Sequence, residues 1–214
     1  MKISNIASAL LLGSMVILGG CGNDDTNDVS YEYSVKVQNL TAGQPMSPII
    51  VSGESIFSIG ESASVALETL AEGGDNSKLL NAKSVSGTKL IKPGESDTVT
   101  IQMKETKVSI ATMLVKTNDA FAGLDGYDLS ALALNDSAVV YLKAYDAGTE
   151  ANDEINATIP GQGGEGFNAA RETSNIITAH SGVVTYDDGL MTSGLSAAQK
   201  FDNPVAIVIV TRTK

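Results

Sequence analysis

Cysteine and histidine each occur once in the 214 residues, as Cys21 and His180, and tryptophan is missing. A lone cysteine forms no disulfide within the chain and no zinc centre built on several thiolates. A lone histidine leaves imidazole catalysis a single position to draw on. Basic side chains are also scarce, 14 against 25 acidic ones, for a formal charge of −11. Nucleic-acid phosphates repel such a chain, and no lysine- or arginine-rich stripe offsets this, so no nucleic-acid partner is expected. With 18% charged and 43% hydrophobic residues, the chain is too apolar for a disordered polyelectrolyte and too mixed for a multi-spanning membrane protein. The length suits one domain or two small ones. These exclusions favour a binding module over an enzyme.

The amino terminus carries an export pattern. Lys2 gives a positive start, and an apolar run with small interruptions follows over residues 6–18. That run falls short of the roughly 20 apolar residues a bilayer span needs. It ends in Leu18-Gly19-Gly20-Cys21, which resembles the bacterial lipoprotein processing box: a leucine for the peptidase, two small residues, then a thiol to be acylated. Residues 1–20 are therefore expected to be a signal peptide and Cys21 a lipidation site. Stable anchoring by lipid requires more than one acyl chain. Residues 22–30 (GNDDTNDVS) are polar and acidic and read as a tether.

From residue 31 the sequence reads as β structure. In YEYSVKV, Tyr31, Tyr33, Val35 and Val37 alternate with Glu32, Ser34 and Lys36, the period of a half-buried strand. Residues 97–104 repeat the pattern after the Pro93-Gly94 turn, and residues 108–115, 139–144 and 183–186 are further strand candidates. VAIVIVT at 205–211 is apolar on both faces, as in a strand covered on both sides. Residues 62–72 instead show helical spacing, with Ser62 to cap and Gly73-Gly74 to stop. Asp75 is placed to cap a second short turn through Leu80. No internal repeat or second linker is evident. The expectation is one all-β domain over residues 31–214, an antiparallel β-sandwich of about eight strands with one or two short helices.

Polar residues concentrate in two stretches that each follow an apolar strand: TNDAFAGLDG at 117–126 and YDAGTEANDE at 145–154. A hard divalent cation takes six to eight oxygens, several of them charged. Two acidic loops at one end of a sandwich supply such a set. Neither loop has the spacing of a helix-loop-helix calcium hand. By spacing alone, solvated acidic turns explain the same residues, and both readings stand.

Asp119-Ala120-Phe121-Ala122-Gly123-Leu124-Asp125, followed by Tyr145-Asp146-Ala147-Gly148-Thr149-Glu150, resembles the spondin amino-terminal domain family, its bacterial lipoprotein members most closely. QPMSP at 44–48, GEGFN at 164–168 and FDNPVA at 201–206 extend the resemblance over most of the chain. The resemblance implies an eight-stranded antiparallel sandwich, similar to calcium- and phospholipid-binding sandwich domains, with one bound calcium-like ion. Its ligand positions correspond to Asp119, Asp146 and Glu150. Animal members usually carry aspartate where Glu150 stands and tryptophan where Phe121 stands, and they have cysteines this chain lacks. The longer glutamate leaves Asp153 or Asp125 to complete the shell.

Other signals point less far. GQGGEG at 161–166 matches a dinucleotide fingerprint by letter, but Pro160 precedes it and Glu165 repels phosphate, so a loop is the expected reading. His180 with Asp187 or Asp188 suggests a hydrolase, yet no serine sits in a Gly-x-Ser-x-Gly elbow. Arg171 is expected to pair with a surface carboxylate. The sequence thus predicts a lipoprotein of the bacterial cell envelope, on the periplasmic face or the cell surface. It would be held to the membrane through Cys21 and bind one calcium ion, with an extracellular protein or glycan as partner and no enzymatic activity. The rivals are a structural lipoprotein without metal and a hydrolase using His180.

Overall fold

Where apolar and polar side chains alternate, the chain forms strands that bury one face. The computed structural model describes residues 30–171 and 175–214. The expected signal peptide, Cys21 and most of the expected tether lie outside the described residues. In chain order the elements are β1 (Tyr31–Asn39), β2 (Ile50–Ser52), α1 (Val65–Gly73), β3 (Ser84–Ser86), β4 (Ser96–Met103), β5 (Lys107–Met113), β6 (Ala120–Asp128), β7 (Ser137–Asp146), β8 (Thr178–Ala179) and β9 (Ala206–Arg212).

All nine strands pair antiparallel, in the order β3-β2-β5-β6-β7-β9-β1-β4 with β8 added to β7, and form a nearly closed barrel-like sheet. The long β7 makes this continuous path possible. Its first six residues, Ser137 to Leu142, pair with β9, and its last four, Lys143 to Asp146, pair with β6. The fold is therefore mostly β with one short helix, and one strand is shared where two separate sheets were expected.

Strand direction places the ends. β1 and β7 both run antiparallel to β9, so Tyr31 and Ser137 share one end of the sheet while Asn39 and Asp146 share the other. At about 3.3 Å per residue, the nine residues of β1 separate these ends by roughly 30 Å.

The inner faces of the strands form the main core, which includes Val35, Val37, Ile101, Ile110, Val208 and Val210. A second core lies between α1 and the outer side of β5 and β6, where Leu67, Leu70 and Ala71 meet Ile50, Ala111 and Phe121. Phe57 stands edge-on to Phe121 with ring centroids 5.0 Å apart, and Tyr145 completes the cluster 5.0 Å from Phe57. A Cβ on Gly123 would come within 2.8 Å of the Phe57 ring, so this position has room only for glycine.

The helix starts two residues later than the spacing suggests. Ser64 keeps an extended backbone, and its hydroxyl accepts from the Leu67 N–H at 3.2 Å. Gly74, at φ 69°, ends the helix in the left-handed conformation.

Three other expectations change. Residues 183–186 form no strand: Thr185 and Asp188 close a capping box around a 3-10 turn at Tyr186–Asp188. In β9 one face is fully buried, and Ile207 and Ile209 on the other are only half covered. The first acidic stretch is largely strand β6, because Phe121 and Ala122 supply apolar faces that pack on both cores.

Candidate cation site

Pairing of β6 with β7 brings the two acidic stretches together, since Ala120 stands opposite Asp146 in the register. Asp119 thus enters the site at the start of β6 and Asp146 at the end of β7. The turn before β6 is held by Thr117, whose hydroxyl donates to the Leu114 carbonyl at 2.6 Å and accepts from the Ala120 N–H at 3.1 Å. Beyond β7 the chain turns at Gly148, φ 71°, where a Cβ would lie 2.4 Å from the Ile176 carbonyl oxygen. Asp146 shapes this turn: Oδ1 accepts from the Gly148 N–H at 2.7 Å, and Oδ2 accepts from the Asn152 amide at 2.6 Å.

Asp119 is 0% exposed. Its Oδ2 accepts from the Thr149 N–H at 2.7 Å, the Thr149 hydroxyl at 3.2 Å and the Glu150 N–H at 3.0 Å. Its Oδ1 is buried without a hydrogen-bond partner. Burial first, and then the charge of Asp146, push the carboxyl up to about 6, against the opposing pull of those donors.

Glu150 is the centre of the negative charge. Burial pushes its carboxyl up to about 8, and the charges of Glu72, Asp119, Asp153 and Glu165 add to the effect. Its Oε2 is buried and unpartnered. Glu72 comes from the last turn of α1, where the helix dipole disfavours an acid and the turn itself holds no basic residue. Its Oε2 accepts from the Asn168 N–H at 2.8 Å, its Oε1 has no partner, and burial raises its pKa. One turn earlier, buried Glu68 takes a two-pronged bond from Arg171, 2.9 Å from Nε and 2.7 Å from Nη2, so Arg171 pairs with a buried rather than a surface carboxylate. Arg171 Nη2 also donates to the Ala63 carbonyl at 2.7 Å. These bonds fasten the segment after β7 onto α1.

Asp153 does not stand free. Its Oδ1 accepts from the Asn118 amide at 3.1 Å, the Ile155 N–H at 3.1 Å and the Thr158 hydroxyl at 2.6 Å. Asp125 lies elsewhere. Six residues beyond Asp119 along β6, it is roughly 20 Å away at strand rise, with Oδ1 accepting from the Ile56 and Phe57 N–H groups and Oδ2 from the Ser55 hydroxyl. Counting it with the metal ligands is corrected, because the stretch read as a loop is a strand that carries this carboxylate away from the others. Cys21 lies outside the described residues.

Beside the His180 nitrogen Nε2, the unpartnered buried side-chain atoms at this end are the oxygens Glu72 Oε1, Asn118 Oδ1, Asp119 Oδ1 and Glu150 Oε2. Such donors fit a hard cation of the calcium type. Among the described residues, however, no three Asp, Glu, His or Cys side chains are grouped closely enough to hold a metal ion together. An ion here would need amide, backbone or water oxygens in its shell. Sequence reasoning missed Glu72 and Asn118. A helix whose last turn carries an acid and no base was legible around Glu72, whereas nothing local marks Asn118.

His180 is 7% exposed; its Nδ1 accepts from the Gly182 N–H at 3.0 Å, and its Nε2 has no partner. Burial lowers its pKa, opposed by Asp146. Neither ring nitrogen meets a serine hydroxyl. Asp187 and Asp188 serve the turns at 185–197, Asp188 through the Thr185 hydroxyl at 2.8 Å and Asp187 through the Ala197 N–H at 2.8 Å. The glycine-rich run at 161–166 opens no long helix: Pro160–Gln162 form a single 3-10 turn that Gly163 ends. Among the described residues no helix is long and apolar enough to cross a membrane.

No protein-family model matches the chain, and the search of curated proteins gave no match.

Proposed function

We propose that this chain is a cell-envelope lipoprotein, anchored through acylated Cys21, whose spondin-like β domain binds a calcium-like cation at its acidic end and works as a binding or adhesion module. Asp119 and Asp146, with Glu150, would hold the ion. In this reading the sheet is a sandwich whose two halves share β7, and the ion fixes the turn before β6 against the turn after β7. The observation that carries the reading is Asp119: wholly buried, three donors on one oxygen and none on the other, beside a second carboxylate. An uncompensated buried carboxylate is costly, and a cation is the partner that removes the cost.

The described chain enters the domain at the end remote from Asp146, where β1 begins. In this reading the anchor leads in from that end. This arrangement favours a partner outside the anchoring membrane, an extracellular protein or a glycan, over docking of the acidic loops onto the chain's own lipid.

A metal-free structural role is the second reading. It is favoured by the missing three-carboxylate group and by carboxyls at Asp119 and Glu150 that can take up protons instead of an ion. Calorimetry on the full chain in detergent separates the two: calcium heat that Asp119→Asn and Asp146→Asn each reduce supports the cation site, and no heat from wild-type protein refutes it.

A further inference from the structure

A small cavity of about 50 Å³ opens beside Glu150, on the side lined by Asn118, Asp153, Thr158, Glu165 and Asn168. Neither Asp119 nor Asp146 lines it. Asn118 is 1% exposed, and its amide is fixed in one sense. The NH₂ group donates to the Asp153 carboxylate at 3.1 Å and to the Thr158 hydroxyl at 2.8 Å. Flipping the amide would set oxygen against a carboxylate, so Oδ1 must face the other way. That Oδ1 is buried and accepts nothing, and so is Glu150 Oε2 on the same cavity wall. A buried amide oxygen left without a donor is destabilising, because it has given up its water and gained nothing in return. Two of the lining residues thus each carry a buried unpartnered oxygen, and with two further carboxylates on the wall the set suits a positively charged ligand.

Among the described residues, no lysine, arginine, histidine or cysteine lines this space. Thiolate- or imidazole-seeking metals therefore find no preferred ligand in it. Carboxylate, amide and hydroxyl oxygens suit calcium, which takes 6–8 oxygens at about 2.3–2.6 Å in irregular geometry and accepts waters among them. A water needs about 10–15 Å³ of such space, so the volume holds an ion with a few waters. Because amide and water oxygens fill part of the shell, three carboxylates need not converge.

We propose that the cavity between Asn118, Glu150, Asp153 and Glu165 is a second calcium site, distinct from the position between Asp119 and Asp146. Glu150, shared by both, bridges the two ions. The inference concerns a different set of oxygens from the first site and stands on the fixed, unpartnered Asn118 amide.

Counting ions tests this. The purified full chain in detergent is dialysed against calcium, bound metal is measured by mass spectrometry, and titration calorimetry gives the affinities. The expected count is two per chain. Asn118→Ala should lower it to one, and Glu165→Gln, an exposed residue whose exchange leaves the fold intact, should weaken one of the two affinities at least tenfold. Asp119→Asn should also leave one ion, held in the cavity. A count of one in wild-type protein, unmoved by Glu165→Gln and lost in Asp119→Asn, overturns the second site and leaves the first. A count of one in wild-type protein that survives Asp119→Asn but is lost in Glu165→Gln overturns the pair and moves the only site to the cavity. A count of zero overturns both, with water alone in the cavity.

Discussion

Asp119→Asn should change stability in opposite directions with and without calcium. The asparagine keeps a side-chain oxygen for the Thr149 and Glu150 donors and removes the charge. In metal-free wild-type protein, Asp119 titrates near 6 against an ordinary 3.8. Below pH 3.8 the group is protonated in both folded and unfolded chains and nothing is lost. Between 3.8 and about 6 the folded state holds more protons than the unfolded one, so stability falls as pH rises, and above about 6 the loss is complete. At 1.36 kcal/mol per pKa unit the loss is roughly 3 kcal/mol. Part of it is offset in the comparison, because a charged acceptor makes stronger hydrogen bonds than an amide. In chelator at pH 8, Asp119→Asn should therefore be the more stable protein by about 1–3 kcal/mol, or roughly 2–10 °C for a domain of this size. At pH 4 the difference should vanish. In millimolar calcium the order should reverse, since only wild-type protein gains the ion between Asp119 and Asp146; at 1,000 times Kd that gain is about 4 kcal/mol. Urea and thermal unfolding followed by circular dichroism at both pH values, with chelator and with calcium, measure all four cases. If the variant in chelator at pH 8 is less stable than wild-type protein, Asp119 is not an uncompensated charge and the argument fails.

The remaining predictions concern neighbouring groups. Without metal, wild-type melting temperature should fall steadily from pH 4.5 to 8.5, as Asp119, Glu154 and Glu150 ionise near 6, 7 and 8; calcium should flatten the curve, and a melting temperature that rises across this window refutes the assignment. Glu68→Gln breaks the two-pronged bond that holds Arg171 to α1 and should cost about 2–3 kcal/mol in urea unfolding, near the low end for a broken buried pair because Arg171 is partly exposed. Gly148→Ala pushes a Cβ against the Ile176 carbonyl from a positive-φ position and should weaken calcium binding at least tenfold by calorimetry while β-sheet content stays unchanged. Phe121→Ala empties the aromatic cluster beneath α1 and should cost about 3–5 kcal/mol.

Long alternating strands were legible because period two depends only on nearest neighbours along the chain. The readings at 31–37 and 97–104 differ from β1 and β4 by one or two residues, whereas 183–186 failed because Thr185 and Asp188 satisfy the backbone locally. β6 was hidden by its glycines and aspartates: Gly123 is there to admit the Phe57 ring, and Asp125 to hold residues 55–57. Both demands come from chain nearly 70 residues away, beyond the reach of any window on the sequence.

Composition and pattern by themselves determined that the chain is acidic, β-rich and limited to a single cysteine, and that Asp119 and Asp146 border two strands. Only the tertiary structure decided which acids meet. Pairing of β6 with β7 sets Asp119 beside Asp146, packing of α1 on the sheet adds Glu72, and the strand conformation of β6 removes Asp125. Whether a carboxylate is a solvated turn residue or an uncompensated buried charge depends on how much water surrounding elements exclude, and exclusion of water is a property of packing rather than of sequence neighbours.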